Sequence, residues 1–210
     1  MEEVKKYTTL RRAASAEFTE KKSVFIGHAA PVKTVEEADA FIAAKKKEFA
    51  DARHNVSAFI IRGGAIARYS DDGEPQGTAG VPILDVIKKS GGDDAAVVVT
   101  RYFGGILLGA GGLVRAYSEG ARIALEAAGI VTYEQFTEVS MSLSYPDHGK
   151  IQNELTKFPF ITDSVDFTDK VIIKGAILTP EAASLSSLVS ECTSGRSRVE
   201  ILGNRYDSLA

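Results

Sequence analysis

The sequence predicts a two-domain α+β fold, and three observations support this prediction. Short runs with strand-like alternation are interspersed with segments that have helical periodicity. The residue pattern changes after Gly129, where the long helix ends and an alternating strand-like segment follows, so we expect one domain over residues 1–132 and a second over residues 133–210. The second part has the order strand, helix, strand, strand, helix, strand, which is the signature of a ferredoxin-like domain.

Composition places the chain among ordinary globular proteins. Of its 210 residues, 44% are apolar and 25% are charged. No apolar run approaches the roughly 18 residues of a membrane helix, and the N-terminus lacks the apolar core of a signal peptide. Cys192 is the sole cysteine, so an intrachain disulfide is excluded. These features predict a cytoplasmic protein with no membrane contact.

The two predicted domains differ in charge. Residues 1–132 carry 18 Lys and Arg against 17 Asp and Glu, a balance of +1, whereas residues 133–210 carry 7 against 11, a balance of −4. The net charge of −3 argues against indiscriminate binding of nucleic acid. If nucleic acid binds, it must use a local basic patch in the first domain.

The first half of the first domain should contain strands and one helix. Residues 7–19 form a weak strand candidate, and residues 23–30 form a better one that ends at Pro31. Thr34 and Glu37 form a capping box before a helix over residues 35–50. After this helix we expect a strand at 54–62, a turn at Gly63-Gly64 and a returning antiparallel strand at 65–69.

The second half begins with a loop of turn-forming residues, 70–80, which leads into a helix that starts between Gly80 and Pro82. That helix should stop at Gly91-Gly92. A buried strand, a glycine-rich loop and a long helix over residues 111–128, which Gly129 ends, complete the domain. In the second domain we expect strands at 134–145, 158–167, 170–178 and 198–202, a helix capped by Asp147 that ends at Leu155, and a helix over 180–192.

The glycine-rich loop is the strongest functional signal. Its glycines leave main-chain N–H groups accessible at the positive end of a helix dipole, and two arginines bracket it. We therefore predict an anion or phosphate site formed by Arg101, Gly104, Gly105, Gly109, Gly111, Gly112 and Arg115. The loop is neither a P-loop, since no Gly-Lys-Ser/Thr follows, nor a dinucleotide fingerprint, since Val114 stands where the third glycine would be. The alternative is that the glycines only permit tight packing and that Glu119 compensates Arg115.

Further polar residues could support this site. Arg101 either binds the anion or pairs with Asp71, Asp72 or Glu74 and so locks two loops together. These carboxylates either ligate magnesium beside a phosphate or act as turn and cap residues. His54 is either a general acid or base or a structural histidine, and Thr78 lies in the same loop. Because no nucleophile or cysteine cluster accompanies these residues, we predict no catalytic residue, no metal and no cofactor.

Several segments resemble the IMPACT family in the same order. They are Lys22–Ile26, Ala52–Asn55, Asp71–Leu84 and Thr100–Tyr117, together spread over residues 20–130. The resemblance implies a first domain with the fold of ribosomal protein S5 domain 2 and a second, ferredoxin-like domain. Both folds recur in translation proteins, and eukaryotic relatives regulate translation, although through an additional N-terminal domain for which this chain has no room.

Three functions remain open. The first is a non-enzymatic binding protein linked to translation, whose partners would be RNA, the ribosome or a translation factor. The second is an enzyme or sensor for a small phosphate-containing molecule, since small-molecule kinases with the S5-like fold hold nucleotide phosphates on a glycine loop. The third is an adaptor whose acidic second domain meets a basic protein.

Overall fold

The computed structural model describes residues 6–209, which form two compact units. The first unit, residues 7–132, contains six strands and three helices. They are β1 (Tyr7–Leu10), β2 (Ala14–Glu20), β3 (Ser23–Pro31), α1 (Val35–Glu48), β4 (His54–Ile61), β5 (Ile66–Ser70), α2 (Gly80–Lys89), β6 (Ala95–Tyr102) and α3 (Gly109–Ala128). Among residues 6–209, none of the helices combines the length and the apolar character needed to cross a membrane.

A five-stranded antiparallel sheet organises the first unit, with the strand order β2-β3-β6-β4-β5. Side chains alternate along the central strand β6, so Val97 and Val99 face the cluster that α2 and α3 cover, whereas Ala96 faces α1. Helix α3 packs closely on the sheet because glycines stand at the contact on both elements, Gly27 on β3 and Gly120 on α3. A Cβ added at Gly27 would lie 2.0 Å from the carbonyl oxygen of Gly120, a residue of α3. This packing fixes the position of α3, and therefore of its N-terminus, on the sheet.

The second unit consists of residues 133–209 together with Lys6. Its first strand, β7 (Ile130–Leu143), begins three residues before the start of the unit at Tyr133. The other elements are α4 (Tyr145–Leu155), β8 (Phe160–Phe167), β9 (Val171–Leu178), a 3-10 turn (Thr179–Glu181), α5 (Ala182–Cys192) and β10 (Val199–Asp207). The antiparallel strand order is β10-β7-β9-β8. Apolar residues of the sheet pack with Ile151 of α4 and Leu185 of α5 in a separate core. This is the ferredoxin-like arrangement, and the predicted α+β fold, with an S5 domain 2-like first domain, is confirmed.

Several predicted boundaries are wrong. The segment 7–19 is two strands rather than one, and α3 begins at Gly109 rather than Gly111. Helix α4 is capped by Ser144, whose hydroxyl accepts from the N–H of Asp147, because the serine immediately precedes the first helical residue. Strand β10 runs on to Asp207 because its pairing with β7 continues past a bulge at residues 201–203.

Candidate anion-binding site

The loop between β6 and α3 is held against a neighbouring hairpin. A Cβ added at Gly104 would lie 2.0 Å from the main-chain carbon and oxygen of Lys22, so only glycine allows the two backbones to approach this closely. The N–H of Gly104 donates to Ser23 Oγ at 3.1 Å. Gly105 and Gly109 have φ values of 84° and 69°, in the left-handed region that glycine adopts most readily. These glycines therefore fix the path of the loop.

The N-terminus of α3, like that of α5, lacks the side-chain acceptors found at the start of α1, α2 and α4. Thr34 caps α1, and Asp71 accepts from the N–H groups at the start of α2. Before α3, the cap position is Leu108, no side chain provides a cap, and the first turn has no acidic residue. Within the described residues, the N–H groups of Gly109, Ala110 and Gly111 have no hydrogen-bond acceptor. A 20-residue helix thus presents free donors at the positive end of its dipole.

Arg115 extends towards these free donors. A Cβ added at Gly111 would lie 3.7 Å from Arg115 Nη1, so the guanidinium is one turn closer to the N-terminus than its own Cα. No acidic side chain among residues 6–209 forms an ion pair with Arg115. Glu119, the predicted compensating residue, instead accepts two hydrogen bonds from Arg122, which lower the pKa of its carboxyl group. Arg122 also binds Glu126.

Arg115 lines a groove with a volume of about 830 Å³, which Lys21 and Lys89 also line, whereas Lys22 is next to Lys21 but outside the groove lining. Lys21 and Lys22 form the two-residue turn between β2 and β3, and Lys89 ends α2. None of these three lysines forms an ion pair with any residue of the described chain. The groove is lined by Phe18, Glu20, Lys21, Val86, Lys89, Ser90, Leu108, Gly112, Val114, Arg115, Ala116, Ser118, Glu119 and Arg122. Four cations and two carboxylates therefore give this surface an excess of positive charge.

Arg101 lies in a buried network on the other side of α3. Its Nη1 donates to Glu74 Oε1 at 2.5 Å, and the same oxygen accepts from the Tyr117 hydroxyl at 2.7 Å. Burial and the Glu74 contact raise the pKa of Tyr117, which therefore stays a neutral donor. Because Arg115 and Tyr117 are about 200° apart around the helix, the structure does not bring Arg101 and Arg115 into one site.

The remaining predicted residues have separate structural contacts. Asp71 accepts from the N–H groups of Gly77, Ala79 and Gly80, and Asp72 accepts from Lys46 Nζ and the N–H of Asn55. His54 Nδ1 donates to the carbonyl of Asp72 at 2.8 Å, and its Nε2 lies 3.8 Å from Glu74 Oε1. Thr78 donates to the carbonyl of Pro75. In residues 6–209 no three His, Cys, Asp or Glu side chains are grouped so that they could hold a metal ion.

Sequence reasoning missed Lys21, Lys22 and Lys89. The Lys21-Lys22 turn has φ values of 46° and 65°, which Asn and Gly usually supply, so the sequence carries no turn signal there. A doubled lysine between two predicted strands is a signal that could have identified it. The position of Lys89 depends on how α2 packs, which the sequence does not reveal.

Each of the two units is similar to a known protein domain. The Impact N-terminal domain model matches residues 21–125, and a domain of unknown function, DUF1949, matches residues 141–196. The IMPACT family member YvyE of Bacillus subtilis is 40% identical over 195 residues, covering 92% of this chain and 90% of that protein. YigZ of Escherichia coli, also an IMPACT family member, is 34% identical over 178 residues, covering 83% and 87%.

A solved structure agrees with these matches. The crystal structure of a hypothetical protein superposes with a TM-score of 0.59 at 30% identity, covering 94% of this chain and 97% of the other. The IMPACT-like segments identified in the sequence therefore mark a relationship over nearly the whole chain. This chain belongs to the IMPACT family.

Proposed function

We propose that this protein is a non-enzymatic RNA-binding protein linked to translation, and that it holds RNA phosphates at the N-terminus of α3. The observation that carries the proposal is the free N–H groups of Gly109, Ala110 and Gly111 with the guanidinium of Arg115 beside them. Because Arg115 is a cation near the positive end of the dipole, an anion bound there would relieve an unfavourable interaction.

The distribution of charge favours a polyanion. The unpaired cations come from three elements: the β2–β3 turn, the end of α2 and the first turns of α3. A single phosphate could contact only part of this surface, whereas a nucleic acid carries phosphates at regular intervals. The overall charge of −3 means that this local patch must supply the attraction. The link to translation rests on the two folds, which recur in translation proteins.

Binding of a fluorescently labelled oligoribonucleotide, measured by anisotropy at several salt concentrations, tests the proposal. If about four cations contact phosphates, affinity should fall roughly 50-fold between 50 and 200 mM salt. Arg115→Ala should weaken binding about five- to tenfold and make the salt dependence shallower. Lys47→Ala is the matched control, since Lys47 lies on α1, which packs on the opposite face of the sheet. Equal affinities for wild type and Arg115→Ala would contradict the proposal.

Two other outcomes would favour the alternative functions. A magnesium-dependent rise in melting temperature with ATP or GTP, abolished by Arg115→Ala, would favour a site for a small phosphorylated molecule. Co-sedimentation with ribosomes that Arg115→Ala leaves unchanged would favour an adaptor that acts through the acidic second unit.

A further inference from the structure

We infer that Phe103 is a stacking platform for an unpaired base, so that the RNA bound at α3 is single-stranded. This inference rests on the proposed function and adds to it the class of RNA. Phe103 is the first residue after β6, and its side chain is 47% exposed. Ile106 and Leu107 of the same loop are also exposed, at 41% and 82%, so this loop presents several apolar side chains to solvent, as interaction surfaces do.

One face of the Phe103 ring is already occupied. The Arg101 guanidinium carbon lies 5.6 Å from the centroid of Phe103 and 5.6 Å from that of the fully buried Phe25. Arg101 is itself 5% exposed and is held by the ion pair with Glu74. The exposed surface of the ring is therefore its opposite face and its edge, and the guanidinium supports the ring from beneath.

The backbone that carries the Phe103 ring contacts the Lys21-Lys22 turn. Gly104, the next residue, is in main-chain contact with Lys22, so the side chains of Phe103 and Lys22 start from adjacent backbones. A base on Phe103 would thus have its own or a neighbouring phosphate near the Lys21-Lys22 turn. Proteins that bind single strands combine these two parts, an aromatic face for a base and cations along the backbone. In a duplex the bases are paired and stacked on each other, so this face could not be used.

The alternative is that Phe103 only covers Arg101. A leucine would cover the guanidinium nearly as well but would not stack on a base, so Phe103→Leu separates the two roles. Stacking predicts roughly tenfold weaker binding of a single-stranded oligoribonucleotide by this variant, with binding of inorganic polyphosphate unchanged. The matched control is Tyr69→Leu, because Tyr69 is 53% exposed on β5, at the opposite edge of the sheet from β2.

A second variant gives a direct readout. The chain contains no tryptophan, so Phe103→Trp introduces a single tryptophan at the platform, which can be excited selectively over the seven tyrosines at the red edge of the absorption band. We expect its fluorescence to be quenched by single-stranded RNA and to be little changed by polyphosphate or by duplex RNA of the same length. Quenching would support stacking. If anisotropy shows that the RNA binds but the tryptophan fluorescence does not change, the inference is overturned.

The outcomes distinguish this inference from the proposed function. If Arg115→Ala weakens RNA binding but Phe103→Leu does not, phosphates bind at α3 and the stacking platform is refuted. Tighter binding of duplex than of single-stranded RNA would refute it too. If wild type binds neither RNA nor polyphosphate, both the inference and the proposed function fail. Melting temperatures of Phe103→Leu and Phe103→Trp close to that of wild type would show that lost binding is not lost folding.

Discussion

Arg101 is a buried cation held between aromatic and acidic side chains. Its guanidinium lies between Phe25 and Phe103 and pairs with Glu74, whose carboxylate also accepts from Tyr117. Removing one partner from a buried ion pair leaves the other charged and poorly solvated, which costs more than the pair itself contributes. These five aromatic and charged groups form one contact network, so we expect Arg101 to contribute to the stability of the fold.

The first prediction concerns this pair. Arg101→Ala should lower the free energy of unfolding by about 3–5 kcal/mol, because Glu74 would be left buried without its cation. Urea unfolding followed by circular dichroism measures the change. Arg101→Ala combined with Glu74→Gln should recover part of the loss, since the uncompensated charge is then removed. A variant with unchanged unfolding and lost RNA binding would instead make Arg101 a ligand-binding residue.

His28 makes stability depend on pH. Its side chain is almost fully buried on β3, with Nδ1 2.7 Å from Ser15 Oγ. Burial, and secondarily the charge of Lys45, lower its pKa from 6.5 to about 4. Between these values the unfolded chain binds a proton that the folded chain does not, so acidification favours unfolding.

The second prediction follows from this shift. The free energy of unfolding should fall by about 2 kcal/mol between pH 7 and pH 5, since most of this range lies between the pKa of His28 in the unfolded chain, 6.5, and its pKa in the folded protein, about 4. His28→Gln should be less stable at pH 7 but should lose much less stability over the same range. Urea unfolding at pH 7, 6 and 5 tests this, and parallel curves for the two proteins would contradict the assignment to His28.

At the scale of elements, the start of α3 stands out because stability and binding make opposite demands on it. A carboxylate in the first turn would satisfy the free N–H groups and complement the dipole. The same carboxylate would repel an RNA phosphate. The first turns of α2 and α5 also lack an acidic residue, so the free N–H groups beside Arg115, rather than this absence, distinguish the start of α3.

The third prediction uses this opposition. Ala110→Glu should stabilise the protein by about 0.5 kcal/mol, because the new charge lies at the positive end of the helix, and should weaken RNA binding several-fold. Ala110→Gln is the matched control, since it has nearly the same size without the charge. Urea unfolding and anisotropy measure the two effects. Equal RNA affinities of the Glu and Gln variants would show that no phosphate binds at this helix end.

The elements also show what the sequence could predict. The capping box at Thr34 is confirmed, because Thr34 Oγ1 accepts from the N–H of Glu37 and the Glu37 carboxylate accepts from the N–H of Lys33. Such signals act within one turn of a helix and can be read locally. The glycine-rich loop before a long helix is visible for the same reason.

Contacts between distant segments could not be predicted. Glu74 was one of three possible partners of Arg101, and choosing it requires knowing that Tyr117 of α3 reaches the same carboxylate. The contact between Gly104 and Lys22 depends on β3 pairing with β6, whose paired residues, from Pro31 with Ala95 to Val24 with Tyr102, are 64 to 78 positions apart in the chain. Local patterns do not determine strand order, so the fold class was accessible from the sequence while most of the cationic surface was not.

At the scale of the whole molecule, the two units have separate apolar cores. One core includes Phe25, Ile83 and Tyr117 below α2 and α3, and another includes Met141, Ile151 and Leu185 in the second unit. The charges are also divided, with +1 over residues 1–132 and −4 over residues 133–210. Every residue assigned to RNA binding lies in the first unit.

The fourth prediction is that the two halves can be separated with their properties intact. A fragment of residues 1–132 should fold, because its core is complete, and should bind single-stranded RNA at least as tightly as the full chain, because the acidic half is removed. A fragment of residues 133–210 should fold but show no RNA binding. Circular dichroism establishes that each fragment is folded, and anisotropy at low salt, where electrostatic repulsion is least screened, compares their affinities. RNA binding by the second fragment would place the interaction in the acidic domain and would contradict the assignment of phosphate binding to α3.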